Sequence, residues 1–284
     1  MTAQPTAAQL LEQGLFHHRA GPLDLAMERY TQVLRSNPGN ADALYYIAVI
    51  ACHEGQFQQG IDLARRSLAF RPRQARAHNL IGQALHRQGQ IKDALEAFDR
   101  ALECDAKFAD AYGNRANMLS ELGRHAEALS SFDRALALKP DSAMDWLNRG
   151  ATLHGLGRAD EAIASYDRAL ALDPEFTVAH FNRTTILNQL GRWQEAIAGY
   201  DRTIAIAAQV AEAHIGRAFA LKDLGRLAEA LAGADRAIEL KPDLAAAHKT
   251  RAIILQALGR DAEAQASFAK AAELTKPAGD STGQ

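Results

Sequence analysis

The segment Arg124–Ala143 reads RHAEALSSFDRALALKPDSA, and the segment Arg158–Thr177 reads RADEAIASYDRALALDPEFT. The two align without a gap at a step of 34 residues, and the step continues outward in both directions. Glycine recurs at Gly21, Gly55, Gly89, Gly123, Gly157, Gly191, Gly225 and Gly259, each 34 residues after the last. A constant period of this length marks a repeat architecture rather than a globule with one central core.

Each feature of the repeat has a mechanical reading. Between successive glycines lie two stretches with apolar residues at helical spacing, as in Ala94, Leu95, Phe98 and Leu102. The glycine falls where the first helix ends and supplies a left-handed residue at no steric cost. Five residues later stands a small residue (Ala26, Gly60, Ala94, Ala128, Ala162, Ala196, Ala230, Ala264), which lets two backbones approach. Nine residues after the glycine comes a mostly aromatic position (Tyr30, Ala64, Phe98, Phe132, Tyr166, Tyr200, Ala234, Phe268) that fills the space beside it. Proline follows at Pro38, Pro72, Pro140, Pro174 and Pro242, where the second helix must stop. The predicted fold is therefore all-α, a superhelical solenoid of tandem helix–turn–helix units. Unit two, with Gly60 and Ala64 in place of Ala and an aromatic, is expected to pack more loosely, by about 1 kcal/mol for a mid-helix glycine.

This pattern resembles the tetratricopeptide repeat, a 34-residue helix–turn–helix unit. With the loop glycine as position 15, eight units begin at Ala7, Ala41, Ala75, Ala109, Ala143, Thr177, Ala211 and Ala245 and span residues 7–276. Residues 1–6 then form an N-terminal tail, and 277–284, rich in small and polar residues, read as a disordered one. Position 4, often Trp in the family, is Trp only at Trp146 and His at His78, His180, His214 and His248.

A charge pattern is superimposed on the repeat. Position 7 carries Arg115, Arg149, Arg183, Arg217 and Arg251, and position 25 carries Asp99, Asp133, Asp167, Asp201 and Asp235. Each Asp precedes an Arg by 16 residues, and the two lie equidistant from the connector between units. In an antiparallel hairpin such residues sit at one height, so the second helix of one unit is expected to offer Asp to Arg on the first helix of the next. The planar guanidinium suits a carboxylate partner, and the ladder reads as a register device between units.

Chemistry is not written into the chain. The P-loop, dinucleotide-binding, nucleophile-elbow and H-E-x-x-H motifs are absent, and the ten histidines lack ligand spacing, so no metal, cofactor or catalytic residue is expected and the chain is read as non-enzymatic. A formal charge of −2 argues against nucleic acid as the main partner. No apolar run is long enough for membrane insertion. The start MTAQPTAAQLLEQG lacks a secretory pattern, and two cysteines make no disulfide framework, which together predict a cytoplasmic location.

The family resemblance implies binding. In tetratricopeptide proteins positions 2, 5, 6, 9, 12 and 13 face a concave groove that takes extended peptides or partner helices. Here those positions give the candidate peptide-binding residues Asn79, Gln83, His86, Asn114, Asn117, Asn148, His154, Phe181, Asn182, Asn188 and Phe219. Asn114, Asn148 and Asn182 occupy position 6 in three consecutive units. An amide both donates and accepts, so the row could follow a peptide backbone. It resembles the asparagine ladder in the repeat region of protein O-GlcNAc transferases. The expected partner is a protein or peptide segment held by a scaffold or adaptor. The alternatives are a substrate-presenting accessory of a glycosyltransferase-like system, and a homo-oligomer assembled through the end units.

Overall fold

The computed structural model describes residues 5–275. The expected disordered tail, 277–284, lies outside them. Sixteen α-helices and no strand occur among the described residues: α1 (Ala7–Ala20), α2 (Leu23–Ser36), α3 (Ala41–His53), α4 (Phe57–Phe70), α5 (Ala75–Arg87), α6 (Ile91–Cys104), α7 (Ala109–Glu121), α8 (His125–Leu138), α9 (Ala143–Gly155), α10 (Ala159–Leu172), α11 (Thr177–Gln189), α12 (Trp193–Ile206), α13 (Ala211–Asp223), α14 (Leu227–Leu240), α15 (Ala245–Ala257) and α16 (Asp261–Leu274). Odd-numbered helices are the first (A) helices of the units and even-numbered ones the second (B) helices. The chain divides into two compact units at Asp145 and Trp146, within α9.

In the first unit α1 packs on α2, α3 on α4, α5 on α6 and α7 on α8, and α2, α4 and α6 each also pack on the following A helix. In the second, α11–α12, α13–α14 and α15–α16 pair, and α10, α12 and α14 each contact the next A helix. This is nearest-neighbour stacking, in which core is made between adjacent helix pairs rather than at one centre.

The repeating residues explain the pairing. All eight loop glycines have positive φ, between +72° and +105°. After every one of them but Gly21, which is followed by Pro22, the next residue donates its N–H back five residues, for example Arg124 to the Leu119 carbonyl at 2.8 Å, which satisfies a carbonyl the helix end would otherwise leave open. Tyr30, Phe98, Phe132 and Tyr166 are wholly buried, and each such ring stabilises the fold by about 1.5–3 kcal/mol. Gly14, Gly82 and Gly150 give their rings room, because a Cβ there would strike Tyr30, Phe98 or Tyr166 of the same unit. Thr6 is not free chain. Its hydroxyl accepts from the Gln9 N–H at 3.3 Å while Gln9 Oε1 accepts from the Thr6 N–H at 2.8 Å, a reciprocal cap on α1.

Two expectations need correction. Around Gly60 the packing is close, not loose: Cys52 Sγ occupies the space a Cβ would take, so the missing methyl is replaced by a neighbour's sulfur. Nor does proline set the ends of the B helices. α6 and α12 stop two residues before Ala106 and Ala208, as their counterparts stop two before Pro. The α6 turn is instead closed by Asp105, whose carboxylate accepts from the Lys107 N–H at 2.9 Å.

Candidate functional site

The A helices carry the candidate residues, and the first unit shows the most developed surface. On α3, Tyr46 stacks on Tyr30 with ring centroids 5.4 Å apart, and Tyr45 meets Tyr46 edge-on at 5.2 Å. The Arg76 guanidinium lies over the Tyr45 ring at 5.7 Å. Burial pushes the Tyr30 hydroxyl up to about 12 and raises that of Tyr45, so both stay protonated at neutral pH. His18, 6.1 Å from the Tyr46 ring, is held below the usual imidazole value by burial and then by His53.

Beyond the tyrosines lies a cavity of about 830 Å³ over α3, α5 and α7, and Gln83, His86, Asn114 and Asn117 line it. Asn79, counted with the groove residues, is 8% exposed and accepts from Asn114 Nδ2 through its Oδ1 at 3.0 Å. His86 Nε2 lies 3.0 Å from Glu121 Oε1.

In the second unit the candidates are more internally engaged. Asn182 hydrogen-bonds the Tyr166 hydroxyl. His154 Nε2 is 3.0 Å from Gln189 Oε1, the same 35-residue step as His86 to Glu121. Phe181 packs at 6.1 Å from the ring of Tyr200, which is buried, and Phe219 is half-buried on α13. Asn188 Oδ1 is buried without a hydrogen-bond partner among the described residues. Asn148 lies on α9, where its carbonyl accepts from Thr152 Oγ1 at 2.9 Å.

The charged positions lie between helix pairs. Asp99 Oδ1 accepts from Arg115 Nε at 2.6 Å, Asp167 from Arg183 at 2.6 Å, Asp201 from Arg217 at 2.6 Å and Asp235 from Arg251 at 2.7 Å. Asp133 is on α8 of the first unit. Arg149, on α9 of the second, donates to Ser165 Oγ at 2.7 Å and lies over the Trp146 ring at 5.7 Å.

Three sets of contacts have no counterpart in the sequence reading. Arg115 and Arg251 use Nη1 to reach Ser131 and Ser267 as Arg149 reaches Ser165, so the guanidinium ties to its own B helix too. The constant 16-residue step to that serine was the available signal. Arg124, Arg158, Arg192, Arg226 and Arg260 each clasp the Glu three residues on with two hydrogen bonds, and that partner holds each of these carboxyls below the usual range. The position-4 histidines His78, His180, His214 and His248 reach back six residues to connector carbonyls at 2.9–3.3 Å. They are structural tethers.

At the start of the chain, Phe16 is 68% exposed, although the matching residues Ile50, Ala84, Met118, Thr152, Ile186, Ala220 and Ile254 are all buried. No three His, Cys, Asp or Glu side chains group as metal ligands, and no helix is long and apolar enough to cross a membrane, among the described residues.

Models of the tetratricopeptide repeat match residues 39–107, 80–143, 114–175, 153–218 and 211–236, an unbroken run from 39 to 236. No curated protein matches the chain. Among solved structures it is similar to YrrB, described as a repeat protein with an unusual peptide-binding site, at 23% identity over 65% of this chain and 95% of that one, with a TM-score of 0.59. It is similar to PilW, described as a widely conserved type IV pilus biogenesis factor, at 27% identity over 69% and 91%, with a TM-score of 0.61. The Pseudomonas aeruginosa pilF protein matches at 20% identity over 75% and 97%, with a TM-score of 0.66. The unbroken matches, the eight positive-φ glycines and the nearest-neighbour helix pairs agree: the chain belongs to the tetratricopeptide-repeat family.

Proposed function

We propose that this chain is a protein-interaction scaffold that acts by binding, not chemistry, and holds an extended partner segment against the exposed faces of its A helices. The observation that carries this reading is the open cavity on α3, α5 and α7, where apolar and amide side chains line the same space. The peptide-binding site attributed to YrrB and the pilus-biogenesis role attributed to PilW support it. Asn114, Asn148 and Asn182 serve as backbone contacts. Asn114 donates to Asn79, and its own carbonyl oxygen is left for an incoming N–H. The Asp–Arg pairs act in register between successive helix pairs rather than in binding. A photo-crosslinker placed at Gln83 or Thr185 should capture partner in living cells, and one placed at the exposed B-helix residue Ser130 should not. Capture from Ser130 alone would reject the reading.

Phe16 favours a second activity, self-association through the first helix, because its neighbours in the repeat are covered and it is not. Sedimentation would then show mass rising with concentration, and Phe16→Gln would abolish the rise. A concentration-independent monomer would remove this activity.

A further inference from the structure

The cavity on the first unit is chemically two-sided. Its floor is apolar: Leu80, Ala84, Phe98 and Met118 are buried, and Val49 and Phe57 close the sides. Its rim carries His53, His86 and Arg87, and none of its lining residues is acidic. The Glu121 carboxylate is already engaged by His86 of the rim. Other arginines of this unit are engaged elsewhere, Arg71 by Asp42 and Arg115 by Asp99 and Ser131. Arg87 is exposed at the end of α5 and has no partner among the described residues.

A smaller cavity of about 240 Å³ adjoins the first and shares Gln83 and Asn114 with it. Its character is the reverse, because Asp145 lines it together with Asp110, whose carboxylate is already paired with Lys139 at 3.2 Å. A carboxylate on a bound segment is therefore attracted on the Arg87 side of the shared amides and repelled on the other.

We propose that the first unit recognises an extended partner segment in which a bulky apolar side chain, Phe, Leu or Met, stands next to Asp or Glu. The apolar group enters the cavity over Phe98 and Met118, and the carboxylate meets Arg87. Gln83 and Asn114 bond the backbone between. The size of the cavity and the charge of its rim select this occupant: the volume is in the range of small-ligand sites, and one aromatic side chain buries about 150–250 Å². The guanidinium offers paired donors to a carboxylate. This proposal rests on the A-helix faces being the binding surface.

Random 12-residue peptides displayed on phage and selected on the full chain test it. The expected result is enrichment of apolar–acidic pairs. A fluorescein-labelled synthetic peptide of the enriched sequence should bind Arg87→Glu and Gln83→Trp about tenfold more weakly or worse, a loss of about 1.4 kcal/mol. Both substituted residues are exposed, and an unchanged circular dichroism spectrum would show that the variants fold. Changing the peptide's acid to Gln should weaken binding to the unaltered protein similarly. Changing it to Lys should restore binding to Arg87→Glu. Enriched peptides without an acid, or equal binding by Arg87→Glu, would overturn this proposal and leave the scaffold reading standing. No enrichment at all would overturn both.

Discussion

Gly150→Ala and Gly233→Ala make the same chemical change inside helices of the second unit, and they should move stability in opposite directions. By helix propensity alone each would stabilise by about 1 kcal/mol. At Gly233 the nearest atom to a new Cβ is the Ala218 Cβ at 3.4 Å, an ordinary contact, so the propensity gain should appear nearly whole. At Gly150 the new Cβ would lie 2.7 Å from Tyr166 Cε1 and 2.9 Å from Cδ1, about 0.7 Å inside ordinary contact. Tyr166 is 1% exposed, and its hydroxyl is bonded to Asn182, so the ring cannot swing aside without losing that bond. Overpacking costs about 1–3 kcal/mol and a lost hydrogen bond about 1 kcal/mol. Gly150→Ala should therefore destabilise by about 1–3 kcal/mol net, and Tyr166→Leu should relieve much of that in the double variant. Because stacked repeats can open piecewise, the assay is urea unfolding by circular dichroism together with hydrogen exchange read helix by helix. Loss of protection should centre on α9 to α11. Equal stabilisation by both alanines would show that the ring is not confined, and the packing argument would fail.

Three further outcomes follow from the charged side chains. A double-mutant cycle should give Asp99–Arg115 and Asp201–Arg217 similar couplings of about 0.5–1 kcal/mol, since all four side chains are partly exposed. Ser131→Ala should show an added coupling to Arg115, of about 1 kcal/mol, that has no equivalent beside Arg217, where position 233 is glycine; zero coupling would dismiss the serine brace. Burial, with some repulsion from Asp110, holds the Asp145 carboxyl above the ordinary 3.8. A folded value raised in this way means that ionised Asp145 destabilises the native state once pH exceeds it. Asp145→Asn should thus raise the urea midpoint at pH 7, and the gain should vanish as pH falls through the ordinary carboxylate value, where Asp145 is protonated folded or unfolded. A gain of the same size at both pH values would contradict this.

The helix pairs were legible because their determinants are single-residue constraints repeated in phase. A glycine that must take positive φ, and a small residue opposite an aromatic, leave marks that do not depend on distant parts of the chain. Which Asp stands level with which Arg follows from counting to the connector. What the counting misses is what one side chain does for another of ordinary character. Ser131 looks like any small helical residue until Arg115 is seen to use it, and the position-4 histidines, legible only as a repeated slot, show what they do once their ring nitrogens are found on connector carbonyls. Gly60 misleads for the same reason: its consequence depends on Cys52, a residue of the other helix that carries no repeat signal. The candidate site was legible only as a list of positions. That Asn79 is buried and committed to Asn114 while Gln83 is exposed depends on the rotation of α5 within its stack, which periodicity does not resolve.

The same distinction separates what maintains the stack from what can recognise a partner. The Arg–Glu clasps, the Asp–Arg pairs and the histidine tethers recur at 34-residue steps and satisfy one another, so each leaves little charge unspent. Recognition requires a group that the repeat does not consume. Around the first unit's cavity that group is Arg87: the same position is Glu121 one unit on, already engaged by His86, and Arg19 and His53 in the units before. An exposed position that the repeat leaves variable, flanked by apolar surface that the stack needs but does not cover, is where specificity has room to arise. The Arg87 variant therefore tests more than one contact. If a cation at a variable position of the cavity rim has no effect on what the chain selects, then selectivity is spread over the repeated positions themselves, and the asparagine row becomes the surface to alter first.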